Sequence, residues 1–125
     1  MRQRFLAFTQ SPNYPKFAAV VVFGALASIL FLSLKPTSVN LLELNGFDKV
    51  QHTAAYFVLG LITAMLVSGR RYILTLCAFW FMSGGIELIQ ATQPGRQGSV
   101  YDWIANLTGL LFAFMGVNWI KRVSN

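Results

Sequence analysis

Three ionisable side chains lie within or at the edge of apolar stretches of this sequence: His52, Glu87 and Asp102. Apolar stretches of this kind can cross a membrane, and an ionisable side chain inside a membrane is costly in free energy. Each of the three is therefore a candidate functional residue. In proton-transfer chemistry, either Glu87 or His52 would act as the general base. Asp102 would then orient or pair with whichever of these two residues is not the base. These three residues are therefore the candidate catalytic residues of the chain.

Further polar side chains share helical faces with these residues. Asp48, His52 and Tyr56 follow each other at intervals of four, which places them in one stripe along a helix. Asp48 alone is most simply a first-turn carboxylate that the helix dipole favours. Glu87 and Gln90, three residues apart, share a face of a later helix. We therefore expect two polar faces that can approach each other.

Asp102 opens the last helix, where the dipole favours its negative form, and Asn106 follows on nearly the same face. A simple helix cap is the alternative interpretation of Asp102. Glu87 approaches the end of its helix, where the dipole and partial desolvation both penalise its charge unless Arg96 or a protonated His52 compensates. A guanidinium in a turn can also grip a phosphate in bidentate fashion. Arg96 is thus a candidate binding residue.

The segments that must position these residues are strongly apolar. Of 125 residues, 55% are hydrophobic and only 11% are charged, and the mean hydropathy is +0.55. About 20 apolar residues cross a bilayer as a helix, so a chain of this length has room for four such helices. The sequence predicts an all-α integral membrane four-helix bundle, a single domain over residues 1–125. The predicted helices cover about 17–34, 48–67, 72–91 and 101–120.

Basic residues flank the apolar segments unevenly, seven on one side and three on the other. One side carries Arg2, Arg4, Lys16, Arg70, Arg71, Lys121 and Arg122, and the other carries Lys35, Lys49 and Arg96. Cytoplasmic flanks are enriched in lysine and arginine, so both termini are predicted to be cytoplasmic. The net charge of +6 is thereby explained by topology, and no nucleic-acid partner is expected.

Several kinds of site are disfavoured by what the sequence lacks. A single histidine and a single cysteine, Cys77, argue against a buried zinc site, and we predict no metal and no cofactor. The sequence also contains no HExxH, GxSxG or P-loop pattern, which excludes the familiar serine and metal hydrolases.

Four short motifs, in this order along the chain, carry a resemblance to a known family. They are Asp48-Lys49-Val50-Gln51-His52, Glu87-Leu88-Ile89-Gln90, Gly95-Arg96 and Asp102-Trp103-Ile104-Ala105-Asn106. Together they resemble the VanZ-like family over most of residues 46 to 116. The resemblance implies a small bacterial multi-pass protein of the cytoplasmic membrane, associated with the cell envelope. The founding member is linked to low-level resistance to the glycopeptide teicoplanin, but the resemblance does not supply a biochemical activity.

Three functions remain open from the sequence. The leading hypothesis is one extracytoplasmic pocket for an anionic or glycosylated envelope lipid, such as a lipid-linked precursor. Its predicted binding residues are Arg96, Asn106, Asp48, Tyr56 and Gln90, beside the three candidate catalytic residues. Whether the lipid is also transformed stays open. The alternatives are a small proton-coupled exporter that uses Glu87, and a structural polar clamp between helices.

Overall fold

The computed structural model describes residues 10–34, 47–94 and 98–124. Within these ranges the chain is all-helical, with four α-helices and no strand. The helices are α1 (Tyr14–Leu34), α2 (Phe47–Leu66), α3 (Gly69–Ala91) and α4 (Val100–Val123). For these residues the predicted all-α fold with four helices is confirmed, and each predicted helix end lies within three residues of the observed end.

The connection between α2 and α3 is only two residues long, at positions 67 and 68. Gly69 starts α3 with a φ of 62°, in the left-handed region that glycine adopts readily. Arg70 and Arg71 lie in the first turn of α3, so the prediction that this helix starts at Tyr72 was three residues late. Arginine is a good helix former, which explains why the helix extends through both residues.

The most extensive helix contact joins α2 to α4. A Cβ atom on Gly109 would collide with the backbone carbonyl of Thr53 and would lie 2.8 Å from the amide nitrogen of Phe57. On the other helix, a Cβ atom on Gly60 would lie 2.6 Å from Cβ of Ala113. Small residues thus let the two backbones approach closely, as in many membrane helix pairs.

An apolar core lies where α3 packs onto this pair. Its buried members are Tyr56, Leu59, Tyr72, Leu76, Phe79 and Leu110. The Tyr72 hydroxyl donates a hydrogen bond to the carbonyl of Gly60 at 3.2 Å, which satisfies the phenol inside the core. Only partly buried residues of α1 pack against this core, so α1 is the most peripheral helix.

Three helices are long and apolar enough to cross a membrane: Tyr14–Phe31 within α1, Gly69–Ala91 and Val100–Val123. Large apolar side chains such as Phe23 and Phe81 are about 70% exposed on their outer faces, as expected where lipid is the solvent. The helix α2 falls outside this set because its first turns are polar. The chain is therefore a membrane protein with three candidate spans in its described residues, and a fourth span through α2 stays a prediction.

Candidate functional site

A polar cluster lies at one end of the helix bundle, where the start of α2, the end of α3 and the start of α4 meet. The ammonium nitrogen of Lys49 on α2 lies 3.2 Å from Oδ1 of Asp102 on α4. The backbone amide of Ser99, just before α4, donates a hydrogen bond to Oε2 of Glu87 on α3 at 3.1 Å. Side chains from three helices therefore converge at this end.

The centre of the cluster is formed by His52, Glu87 and Asp102, which we call the triad. One imidazole nitrogen and one oxygen from each carboxylate all lie within 4.8 Å of one another. Nε2 of His52 is 4.0 Å from Oδ2 of Asp102. Glu87 and Asp102 are buried, and His52 is about one quarter exposed. The structure thus brings together the three candidate catalytic residues that the sequence analysis selected.

The ring of His52 is held by Asn106, which is buried on α4. Nδ1 of His52 lies 3.0 Å from Oδ1 of Asn106. Because an amide oxygen only accepts hydrogen bonds, the proton sits on Nδ1, and Nε2 is directed towards Asp102. A second contact between the same helices lies alongside, since the Thr53 hydroxyl donates to the carbonyl of Ala105 at 3.2 Å.

Lys49 links two carboxylates at the open edge of the cluster. Its ammonium group donates to Oδ2 of Asp48 at 3.0 Å and also lies beside Asp102. At this end of α2, outside the three candidate spans, the hydrogen bond from Lys49 lowers the pKa of Asp48. The carboxylates of Asp48 and Asp102 in turn raise the pKa of Lys49, which therefore stays protonated at neutral pH.

The predicted stripe along α2 runs from solvent into the core. Asp48 is exposed, His52 is partly exposed and Tyr56 is only 2% exposed. Tyr56 belongs to the apolar core between the helices. Gln90 is also buried, near the end of α3. Tyr56 and Gln90 therefore face neighbouring helices. The predicted roles of Asp48, Tyr56 and Gln90 in binding a ligand stay predictions.

The short segment before α4 is fitted closely to the end of α3. A Cβ atom on Gly98 would collide with the carbonyl of Glu87 and would lie 2.8 Å from Cβ of Ala91. Ser99 caps α4 through its hydroxyl oxygen, which accepts from the amide of Asp102 at 3.4 Å. The start of α4 and both carboxylates of the triad are thus positioned together. Arg96 lies outside the described residues, and its predicted role stays a prediction.

An aromatic pair forms one side of the contact between α3 and α4. The indole of Trp103 stacks on that of Trp80, with ring centroids 4.7 Å apart and planes 11° from parallel. Nε1 of Trp103 donates to the carbonyl of Trp80 at 2.9 Å, and the ring lies over Gly84. Trp103 thus packs between the two helices.

A groove of about 380 Å³ runs along the outer face of α2 and α4 beside the cluster. Its lining residues are Lys49, Val50, Thr53, Ala54, Phe57 and Phe112. Apart from Lys49 and Thr53 the lining is apolar. Lys49 belongs to both features, because it lines the groove and also contacts Asp102 of the triad. The apolar groove therefore ends at the polar cluster.

Sequence reasoning did not select Lys49 or Ser99 as site residues. A signal was present for Lys49, which directly follows Asp48 and precedes His52 by less than one helical turn. For Ser99 the signal was its place three residues before Asp102, the spacing of a helix cap. Their contacts with the triad depend on how the helices pack, which spacing along one helix does not reveal.

Four helices, three of which are apolar enough to cross a membrane, and a polar cluster at one end define a small multi-pass membrane protein. The chain belongs to the VanZ/LLP1 family, whose model matches residues 3–121. This confirms the family resemblance that the motifs indicated. No curated protein and no solved structure matches the chain.

Proposed function

We propose that this protein binds the headgroup of an anionic or glycosylated lipid of the bacterial cell envelope, such as a lipid-linked precursor, in its polar cluster. The observation that carries the proposal is the convergence of His52, Glu87 and Asp102 from three helices within 4.8 Å. Buried polar groups of this kind are costly in a membrane protein and commonly mark a ligand site.

The groove beside the cluster supports a lipid as the ligand. Its lining by Val50, Ala54, Phe57 and Phe112 suits a hydrocarbon chain, and Lys49 at its polar end lies where a headgroup would be. A lipid that occupies both features places its chain against α2 and α4 and its headgroup beside Asp102. A soluble ligand has no hydrocarbon chain that would occupy the apolar groove.

The charges in the cluster define the kind of headgroup that fits. Among the described residues, these charges are the carboxylates of Asp48, Glu87 and Asp102 and the ammonium group of Lys49. Sugar hydroxyls donate hydrogen bonds to carboxylates and accept them from an ammonium group, so a glycosylated headgroup matches this set directly. A phosphate needs cations, for which Lys49 is present and Arg96 is the predicted second group.

The basic residues support an extracytoplasmic location for the cluster. Tyr14 at the start of α1 donates to the carbonyl of Met65 near the end of α2, so these helix ends lie together, away from the cluster. Basic residues of the described chain at that opposite end are Lys16, Arg70, Arg71, Lys121 and Arg122. By the positive-inside rule this end is cytoplasmic, as are both termini.

A proton-coupled exporter is less well supported. Glu87 lies four residues before the end of α3, near one end of the bundle, whereas transporter sites lie close to the bilayer midplane. A structural clamp is favoured by one specific observation, the contact between His52 and Asn106 that joins α2 to α4. The link to teicoplanin resistance is implied by the family alone, and the lipid proposal does not depend on it.

The lipids that copurify with the protein distinguish the structural-clamp hypothesis from the lipid-pocket hypothesis. Lipids extracted from purified wild type, Asp102→Asn and Asn106→Ala would be identified by mass spectrometry, with Asn118→Ala as the matched control on α4. We expect one envelope lipid to be enriched in wild type and in the control, and reduced about tenfold in both cluster variants, equivalent to ~1.4 kcal/mol. Identical lipid contents in all four folded proteins would contradict the proposal and favour the clamp.

A further inference from the structure

We infer that His52, Glu87 and Asp102 bind one divalent transition-metal ion, with one ligand atom from each of three helices. From the sequence we predicted no metal, because a single histidine and a single cysteine cannot form the common zinc sites. That argument concerned sites rich in cysteine and histidine. It did not consider one imidazole with two carboxylates, which is a donor set that zinc and manganese accept.

The distances within the triad suit a shared ion. Zinc lies about 2.0–2.2 Å from nitrogen and oxygen ligands in a tetrahedral arrangement, so two of its ligand atoms are about 3.4 Å apart. Nε2 of His52 and Oδ2 of Asp102 are 4.0 Å apart, and all three ligand atoms lie within 4.8 Å of one another. Inward side-chain movements of up to about 0.8 Å would bring the three ligand atoms to this spacing.

Each member of the triad is also oriented by a group outside it. Asn106 accepts from Nδ1 of His52, which leaves Nε2 as the atom directed at the carboxylate of Asp102. Metal-bound histidines are typically held in this way through their second nitrogen. The remaining contacts follow the same pattern: Lys49 lies beside Oδ1 of Asp102, and the amide of Ser99 donates to Oε2 of Glu87.

A protonated His52 that pairs with Asp102 is the competing explanation of the triad. A charge-assisted hydrogen bond between a cationic nitrogen and a carboxylate is about 2.7–2.9 Å long. The observed 4.0 Å between Nε2 and Oδ2 is too long for such a bond and leaves room for an ion between the two atoms. The two side chains therefore do not form a direct charge-assisted hydrogen bond in the structure.

Three protein ligands leave coordination positions open on the ion. If the proposed lipid function holds, on which this last step rests, a phosphate oxygen of the headgroup takes one of these positions, beside the ammonium group of Lys49. The ion would then supply positive charge to a cluster whose described charges include three carboxylates. Metal binding itself does not require the lipid.

The test is isothermal titration calorimetry of the purified protein with zinc chloride and, separately, with manganese chloride. All proteins carry Cys77→Ser, because the exposed thiol of Cys77 is a competing zinc ligand. We expect one ion per chain, and a loss of affinity of about 10–100-fold or more in His52→Ala and Glu87→Gln. Gln51→Ala, an exposed neighbour on α2, is the control and retains the affinity.

A measurement on the wild type alone keeps the test valid if a variant misfolds. We expect manganese to give a bound-ion electron paramagnetic resonance spectrum and to raise the melting temperature of wild type. No saturable binding to wild type, or equal affinity in folded His52→Ala, would overturn the metal site. Lipid copurification in the presence of a chelator distinguishes the two proposals. If the protein retains its lipid but has no affinity for zinc, only the metal site is contradicted. If it binds zinc but copurifies with no specific lipid, only the lipid-binding function is contradicted.

Discussion

Nδ1 of His52 lies 3.0 Å from Oδ1 of Asn106, and this contact connects α2 to α4 inside the polar cluster. Asn106 is only 2% exposed, so its amide has little access to water. The same hydrogen bond sets the direction of Nε2, the atom that faces Asp102. One contact therefore contributes both to helix packing and to the orientation of the triad.

Asn106→Ala is expected to destabilise the protein by about 1 kcal/mol, because it leaves a partly buried donor of His52 without its acceptor. The free energy of unfolding in detergent would be measured for this variant, for His52→Ala and for the double variant. We expect the two changes to be non-additive by about 1 kcal/mol. Asn118→Ala, on the same helix, is the control. Additive effects would show that the contact contributes no coupling energy.

Gly109→Ala is expected to destabilise the protein by about 1–3 kcal/mol, because the added Cβ would push against the backbone of Thr53 and Phe57. Gly116→Ala on the same helix meets nothing within 4 Å and is the matched control. Thermal unfolding of the two purified variants would measure the difference. If both glycines tolerate alanine equally, the close approach of α2 and α4 is wrong.

Glu87→Gln is expected to abolish lipid binding and to leave the free energy of unfolding unchanged or higher. Glutamine retains an oxygen that can accept from the Ser99 amide, and it removes a charge from a buried position. Lipid binding and thermal stability of this variant would be measured together, alongside Arg96→Gln. A loss of a few kcal/mol, with binding reduced only in proportion to the unfolded fraction, would support the structural clamp instead.

The topology prediction places both termini in the cytoplasm and the loop with Arg96 outside. Single cysteines at Ser124 and at Gln97, introduced into Cys77→Ser, would be labelled in intact cells with a membrane-impermeant maleimide. We expect labelling at position 97 alone, and labelling at position 124 only after the membrane is opened. The reverse pattern would move the cluster to the cytoplasmic side.

The fold and the centre of the site were largely predictable from the sequence. Long, mainly apolar segments locate the four helices, and alternating chain direction places His52, Glu87 and Asp102 at the same end of the bundle. Polar spacing along α2 also predicted the face that carries Asp48, His52 and Tyr56. Periodicity identifies faces and ends, which is why these features could be recognised without a structure.

Contacts between helices were not predictable in the same way. The stacking of Trp103 on Trp80 and the approach of Gly98 to the end of α3 depend on helix register and rotation. The pairing of Lys49 with Asp102 depends on side-chain rotamers. The spacing of residues within one helix contains none of this information, so the contacts of Lys49 and Ser99 with the triad emerged only from the structure.

The most direct test of the proposed function is native mass spectrometry of the purified protein with a defined lipid mixture. The mixture would contain phosphatidylglycerol, a polyprenyl phosphate and a polyprenyl diphosphate sugar, offered to wild type and to Glu87→Gln. We predict that wild type retains one copy of one headgroup class and that Glu87→Gln, equally stable, retains none. Equal and non-saturating binding of all three lipids to both proteins would contradict a headgroup site at His52, Glu87 and Asp102.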